Sequence, residues 1–187
     1  MRYGNIVVMK MILKISLIVF YFAGLITACE EIRSYPDIPT VDYKPPFSFY
    51  LTTDALGNRI ILGKLSFDFT DGDGDLGLEQ SSDTGLPDSL IYNLFLSIYE
   101  KNDTGFAKVE DVNNLNFRIP YIEREGQNKT LTGNITVDLE YKTFEYDTIF
   151  YTFYIVDRQL NKSNIDSTEI LIFTGLKDSL ENIPGIF

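Results

Sequence analysis

Residues 65–78 read LSFDFTDGDGDLGL, and the stretch changes character halfway along. Leu65, Phe67 and Phe69 alternate with Ser66, Asp68 and Thr70, the period-two pattern of a strand with one face on a core and one in water. The alternation runs straight into Asp71, Asp73 and Asp75, separated by Gly72 and Gly74. On an extended backbone, carboxylates at alternate positions lie about 6–7 Å apart on one side. At that distance each ionised pair repels by roughly 2–3 kcal/mol with an effective dielectric near 20. The interleaved glycines allow backbone angles that other residues avoid, so the chain can curl and bring the three carboxylates together. A hard cation would relieve the repulsion, and calcium, with its many oxygen ligands and flexible geometry, suits such a loop better than magnesium. Asp and Gly also favour turns, so a solvated acidic turn is the competing reading.

The loop is not an EF-hand. That motif needs Gly at its sixth position, a bidentate Glu at its twelfth and a helix on each side. Counting from Asp71, those positions hold Leu76 and Ser82, and the preceding segment is a strand. A calcium ion here must therefore recruit a ligand from elsewhere in the fold. Asp157 is the candidate, because it ends another strong strand that can emerge at the same end of the domain. Its plainer role is to cap its own turn or pair with Arg158. Glu79 and Asp83 are nearby alternatives that solvation alone would explain.

Outward from this stretch, period two dominates. Residues 47–53 predict a first strand and 60–70 the second, with a polar surface loop over 79–89. Residues 90–101 predict the most apolar strand, with Leu90, Tyr92, Leu94, Leu96 and Ile98 on one side. Asn102 to Gly105 signals a hairpin into residues 106–110. Residues 115–122 are a weaker strand interrupted by Pro120, as suits an edge. Leu131, Gly133, Ile135, Val137 and Leu139 then face one way along a long strand. Residues 147–156, aromatic and β-branched throughout, predict a central strand. A polar turn leads to a last strand over 167–173, and 176–187 is a short turn or tail. Seven or eight short strands without capped helical spacing predict an antiparallel β-sandwich, with a closed barrel as the alternative.

The N-terminus reads as an address. Residues 9–28, MKMILKISLIVFYFAGLITA, run from a basic start through an apolar stretch to small residues, the layout of a secretory signal. Met9 is as good a start as Met1. Ile26-Thr27-Ala28-Cys29 resembles the lipobox of bacterial lipoproteins, which implies removal of 1–28 and lipidation of Cys29 with palmitate-type chains. Glu30 and Glu31 resemble the acidic residues that follow the cysteine in some surface-exposed lipoproteins of diderm bacteria. Residues 29–46 hold Pro36, Pro39, Pro45 and Pro46 and predict a semi-rigid spacer. This leaves 47–187 as the β-sandwich domain.

The chain of 187 residues has formal charge −11, a single Cys and no His. Residues 1–28 hold three basic groups and no acid, so the rest carries 13 basic against 27 acidic groups, or −14. Such a body repels phosphate backbones, which excludes nucleic acid as a natural partner. Without His there is no imidazole base and no His-ligated zinc, and the sequence has neither a nucleophile elbow nor a phosphate-cradling loop. Close carboxylate pairs could hydrolyse glycosides, but 27 acids produce such pairs by chance.

Residues 151–173, YTFYIVDRQLNKSNIDSTEILIF, resemble the closing strands of bacterial immunoglobulin-like and fibronectin-type-III-like domains. With the lipobox and FTDGDGDLG, most of the chain resembles surface lipoproteins of diderm bacteria carrying one such domain. The resemblance implies no catalysis. The expectation is a non-enzymatic lipoprotein, anchored to the outer membrane by lipid on its periplasmic or exposed side. It displays an immunoglobulin-like sandwich held by structural calcium at Asp71, Asp73, Asp75 and Asp157, for adhesion or as accessory subunit of an envelope complex. A glycan-binding accessory protein is the alternative, with Tyr92, Tyr99, Tyr121, Tyr141, Tyr146, Tyr151 and Tyr154 as candidate stacking residues, and a glycosidase comes third.

Overall fold

The long alternation becomes a thirteen-residue strand, β3 (Arg59–Asp71), in the computed structural model, which describes residues 9–16, 35–79, 91–110, 115–123, 129–141 and 146–173. β3 pairs antiparallel with β7 (Leu131–Tyr141) along one whole edge, from Asp71 opposite Leu131 to Ile61 opposite Tyr141. Its other edge is shared by two short strands, β1 (Thr40–Tyr43) and β2 (Ser48–Thr53). Both run the same way, so they are halves of one interrupted strand. Residues 45–47, with a cis Pro45–Pro46 bond, oppose the single Leu65. That offset of two residues preserves the side-chain alternation, and a slip of one would have reversed it.

The second sheet is built around β4 (Leu94–Asn102) and β8 (Thr148–Ile155), paired antiparallel from Leu94 opposite Ile155 to Glu100 opposite Ile149. The free edge of β4 takes β5 (Gly105–Lys108) through the expected hairpin, then β6 (Asn116–Phe117). The free edge of β8 takes β9 (Asp166–Ser167) and β10 (Leu171–Ile172). These ten segments make an all-β antiparallel sandwich of two sheets. The ten lie along seven strand lines, because β1–β2, β5–β6 and β9–β10 are each one line broken by extra residues.

The inward positions of both sheets meet in one core. Leu65, Phe67, Phe153 and Ile155 are fully buried, and the Phe67 and Phe153 rings approach to 4.9 Å between the sheets. Burying side chains of this size stabilises by about 1.5–3 kcal/mol each. The Tyr141 and Tyr151 hydroxyls hydrogen-bond at 2.7 Å across the same interior. Burial pushes both phenols above their ordinary pKa, Tyr151 to about 12.

The sandwich starts ahead of the expected boundary at Phe47. β1 lies among the residues read as spacer, with Pro39 fully buried and Val41 buried beside it. Without it the last turn of alternation in β3, Phe67 to Thr70, would present an unpaired backbone edge. Pro36, Pro39, Pro45 and Pro46 flank this four-residue strand and do not interrupt it. Side chains finish its outer edge: Asn164 Oδ1 accepts from Val41 N at 2.9 Å, and its Nδ2 donates to Val41 O at 2.9 Å. Asp166 Oδ2 accepts from Tyr43 N at 2.7 Å, and Glu169 Oε1 from Phe47 N at 2.8 Å. Residues 162–170 thereby join the two sheets along one side.

Met1–Ser34 forms a separate unit, in which residues 9–16 are helical. No helix of the described residues is long and apolar enough to cross a membrane. Cys29, Glu30, Glu31, Asp83, Leu90 and the tail 176–187 lie outside the described residues.

Candidate metal centre

Strand parity delivers the first carboxylate. Leu65, Phe67, Phe69 and Asp71 all point inward, so Asp71 enters the end of the core and has no exposed surface. The backbone then leaves the extended form, with Gly74 at φ 66° and Gly77 at φ 96°. Those left-handed angles suit glycine and strain other residues. Leu76 is fully buried and anchors the loop in the core, while its N–H donates to Asp71 Oδ2 at 2.7 Å.

The curl brings Asp71, Asp73 and Asp75 together, with one carboxylate oxygen of each within 4.8 Å of the others. At that distance each ionised pair repels by roughly 3 kcal/mol with a dielectric near 20. Asp71 Oδ1 and Asp75 Oδ1 are buried and meet no hydrogen-bond donor among the described residues. Buried carboxylate oxygens are normally satisfied, and a cation held by the cluster could satisfy these two. Burial, then the neighbouring Asp73 and Asp75, raise the Asp71 pKa to about 6 against the donated Leu76 N–H. Burial and the charges of Asp157 and Asp73 also raise Asp75, with Gln159 and Arg158 opposing them. The donors are all carboxylate oxygens, which fits a hard divalent cation.

Asp157, 2 % exposed, is not among the three residues whose oxygens converge, but its charge acts on Asp75. Its two oxygens accept from Asn161 N and Asn161 Nδ2, each at 2.8 Å, so it caps its own turn. Each oxygen keeps a second lone pair for an ion. Arg158 does not pair with Asp157 in a salt bridge. Its Nη1 donates to Gly77 O at 3.2 Å and its guanidinium lies 5.0 Å from the Tyr121 ring centroid. Gln159 Nε2 donates to Asp73 Oδ2, a contact that sequence reading misses. Nothing local links a glutamine to a loop 86 residues away, although its place in the same turn as Asp157 is a weak signal. Glu79 is exposed and outside the cluster.

Gly72 serves a different purpose from the one its sequence suggests. A Cβ there would stand 2.4 Å from Tyr35 O and 2.3 Å from Pro36 O, and Gly72 N donates to Pro36 O at 3.0 Å. Close approach of the chain entering the sandwich, more than backbone angle, requires the glycine. Gly72→Ala is expected to destabilise by about 1–2 kcal/mol and to make the bonds around Tyr35 and Pro36 cleavable by protease under native conditions. Resistance equal to wild type would show that the crossing is not held by this contact.

The ion-free cluster also has a pH signature. Asp71, folded, binds its proton more tightly than in the unfolded chain, where its pKa is about 3.9. Between that value and about 6 the folded state holds more protons, so stability falls as pH rises. Asp75, also raised, acts in the same direction. Asp68 and Glu169, both held below the ordinary carboxylate range, act oppositely. The measurement is therefore the difference in melting midpoint between metal-stripped wild type and Asp71→Asn from pH 4 to 7. The variant is expected to gain on wild type across this window, and a constant difference would contradict the placement of Asp71.

No family model matches the chain, and neither a curated protein nor a solved structure does.

Proposed function

We propose that this chain is a non-enzymatic cell-envelope lipoprotein that displays a calcium-stabilised, immunoglobulin-like sandwich. In this reading 1–28 is removed, Cys29 carries the lipid, and a short proline-containing spacer reaches to the first strand. The domain serves adhesion or acts as accessory subunit of an envelope complex. The address is supported by the basic start, the apolar run and Ile26-Thr27-Ala28-Cys29. The immunoglobulin-like assignment is supported by the strand order. The first, second and fifth strand lines share one sheet, and the third, fourth, sixth and seventh the other. The non-enzymatic reading rests on the sequence, which has no His and no nucleophile motif.

The observation that carries the calcium reading is the pair of buried, unpartnered oxygens on Asp71 and Asp75. A solvated turn would leave such oxygens in water. Isothermal titration of the metal-stripped chain is the test. One calcium per chain is expected, with magnesium at matched ionic strength unable to compete, because magnesium keeps its water and demands octahedral geometry. An absence of heat with calcium would return the loop to an acidic turn.

A further inference from the structure

The two outer faces of the sandwich differ in kind. On the first sheet the outward rungs are polar and of mixed charge, such as Lys64 beside Asp138 and Asp68 beside Asn134, the ordinary solvated side of an antiparallel sheet. On the second sheet the outward rungs are aromatic. Phe95 stacks on Tyr154 at 5.1 Å, Tyr99 stacks on Phe150 at 4.9 Å, and Phe106 meets Phe150 edge-on at 5.0 Å. Between the two stacks lies a rung of hydroxyls, Ser97 opposite Thr152, with Ser167 beside it. The four residue steps from Phe95 to Tyr99 span about 13 Å.

Three lysines border that face, and Glu110, which follows β5 beyond Val109, is an acid at its edge. Lys101 and Lys108 share the face and rungs of Phe106 and Tyr99 at one end, and Lys162 Nζ sits 3.7 Å from the Tyr154 ring centroid at the other. Among the described residues no Asp or Glu occupies an outward rung of β4, β5 or β8, on a chain of formal charge −11. Cross-strand aromatic pairs stabilise a sheet by themselves, but that does not explain why the charged outward rungs of β4 and β5 carry only lysine on so acidic a protein.

We propose that this face binds an acidic polysaccharide. A flat row of aromatic, hydroxyl and aromatic rungs with ammonium groups at both ends matches a linear polymer carrying sugar hydroxyls and spaced carboxylates. A protein partner fits less well, because protein interface cores favour Arg and are depleted in Lys and Ser. A nucleic acid strand, also a polyanion, is the competing occupant. The proposal rests on the sandwich alone and needs neither the anchor nor the ion.

The test uses the full chain in detergent with polygalacturonate as probe, a neutral glucan of similar length as control, and single-stranded DNA and anionic vesicles as competitors. Polygalacturonate binding is expected to weaken with salt and to fall at least tenfold in K101E/K108E/K162E and in Tyr99→Ser. Circular dichroism and the melting midpoint establish that each variant is folded. Because neither variant touches the acidic loop, each should keep the calcium response of wild type, which separates this result from the ion site. Absence of polygalacturonate binding at low salt, undiminished binding in the lysine variant, equal binding of the neutral glucan, or stronger binding of DNA or vesicles would each overturn the proposal.

Discussion

Calcium added to the metal-stripped chain is expected to raise its melting midpoint by roughly 5–10 °C, and magnesium at equal ionic strength by much less. An ion that binds only the folded state stabilises it by mass action, by about 2.7 kcal/mol at one hundred times the dissociation constant. For a chain of this size each kcal/mol moves the midpoint by about 2–4 °C. Equal midpoints with chelator, calcium and magnesium would refute the site.

Asp71→Asn sharpens this test because its two effects have opposite signs. The asparagine side-chain oxygen can keep the hydrogen bond from Leu76 N, which Asp71 receives at 2.7 Å. Removing the charge relieves repulsion from Asp73 and Asp75, so the variant should be more stable than wild type without metal at neutral pH. It should also lose most of the calcium increment, since a buried anionic ligand is gone. A residue that merely braced the loop would lower both midpoints together. Asp157→Asn addresses the ligand set separately: an intact calcium increment in that variant leaves Asp157 as the cap of its own turn and removes it from the coordination sphere.

The triad is legible in sequence because its three carboxylates lie within five residues, where glycine spacing and strand parity decide geometry locally. Parity likewise reveals the inward face of β7, where Val137 and Leu139 are buried. What surrounds the triad is not legible. Gln159 meets Asp73 only because the turn after β8 and the end of β3 emerge at the same end of the sandwich, which no local spacing encodes. β1 is hidden by its prolines, since its pairing depends on an exposed stretch of β3 and not on its own pattern. The aromatic face is hidden for another reason. Along β8, Tyr151 and Phe153 point inward while Phe150 and Tyr154 point outward, so like residues occupy both sides and hydropathy shows no period. Of the seven tyrosines expected as candidates for stacking, Tyr141 and Tyr151 belong to the interior, and Tyr99 and Tyr154 to the outward face.

Cys29→Ser is expected to abolish lipidation completely. Each buried methylene contributes about 0.8 kcal/mol to membrane binding, and one acyl chain alone gives only marginal attachment. Two or three chains on a single cysteine anchor a protein stably, whereas serine offers no thiol to carry them. Fractionation alone would mislead, because an unprocessed variant keeps the apolar run within 9–28 and can stay with membranes through it. The deciding measurement is the intact mass of the chain expressed in a diderm bacterium. Wild type should begin at residue 29 with the mass of added acyl groups and partition into the detergent phase. The variant should retain 1–28, or 9–28 if Met9 is the start, or appear cut elsewhere without lipid. Identical unlipidated N-termini on both proteins would make the leader an ordinary secretory signal and leave the sandwich without a lipid anchor.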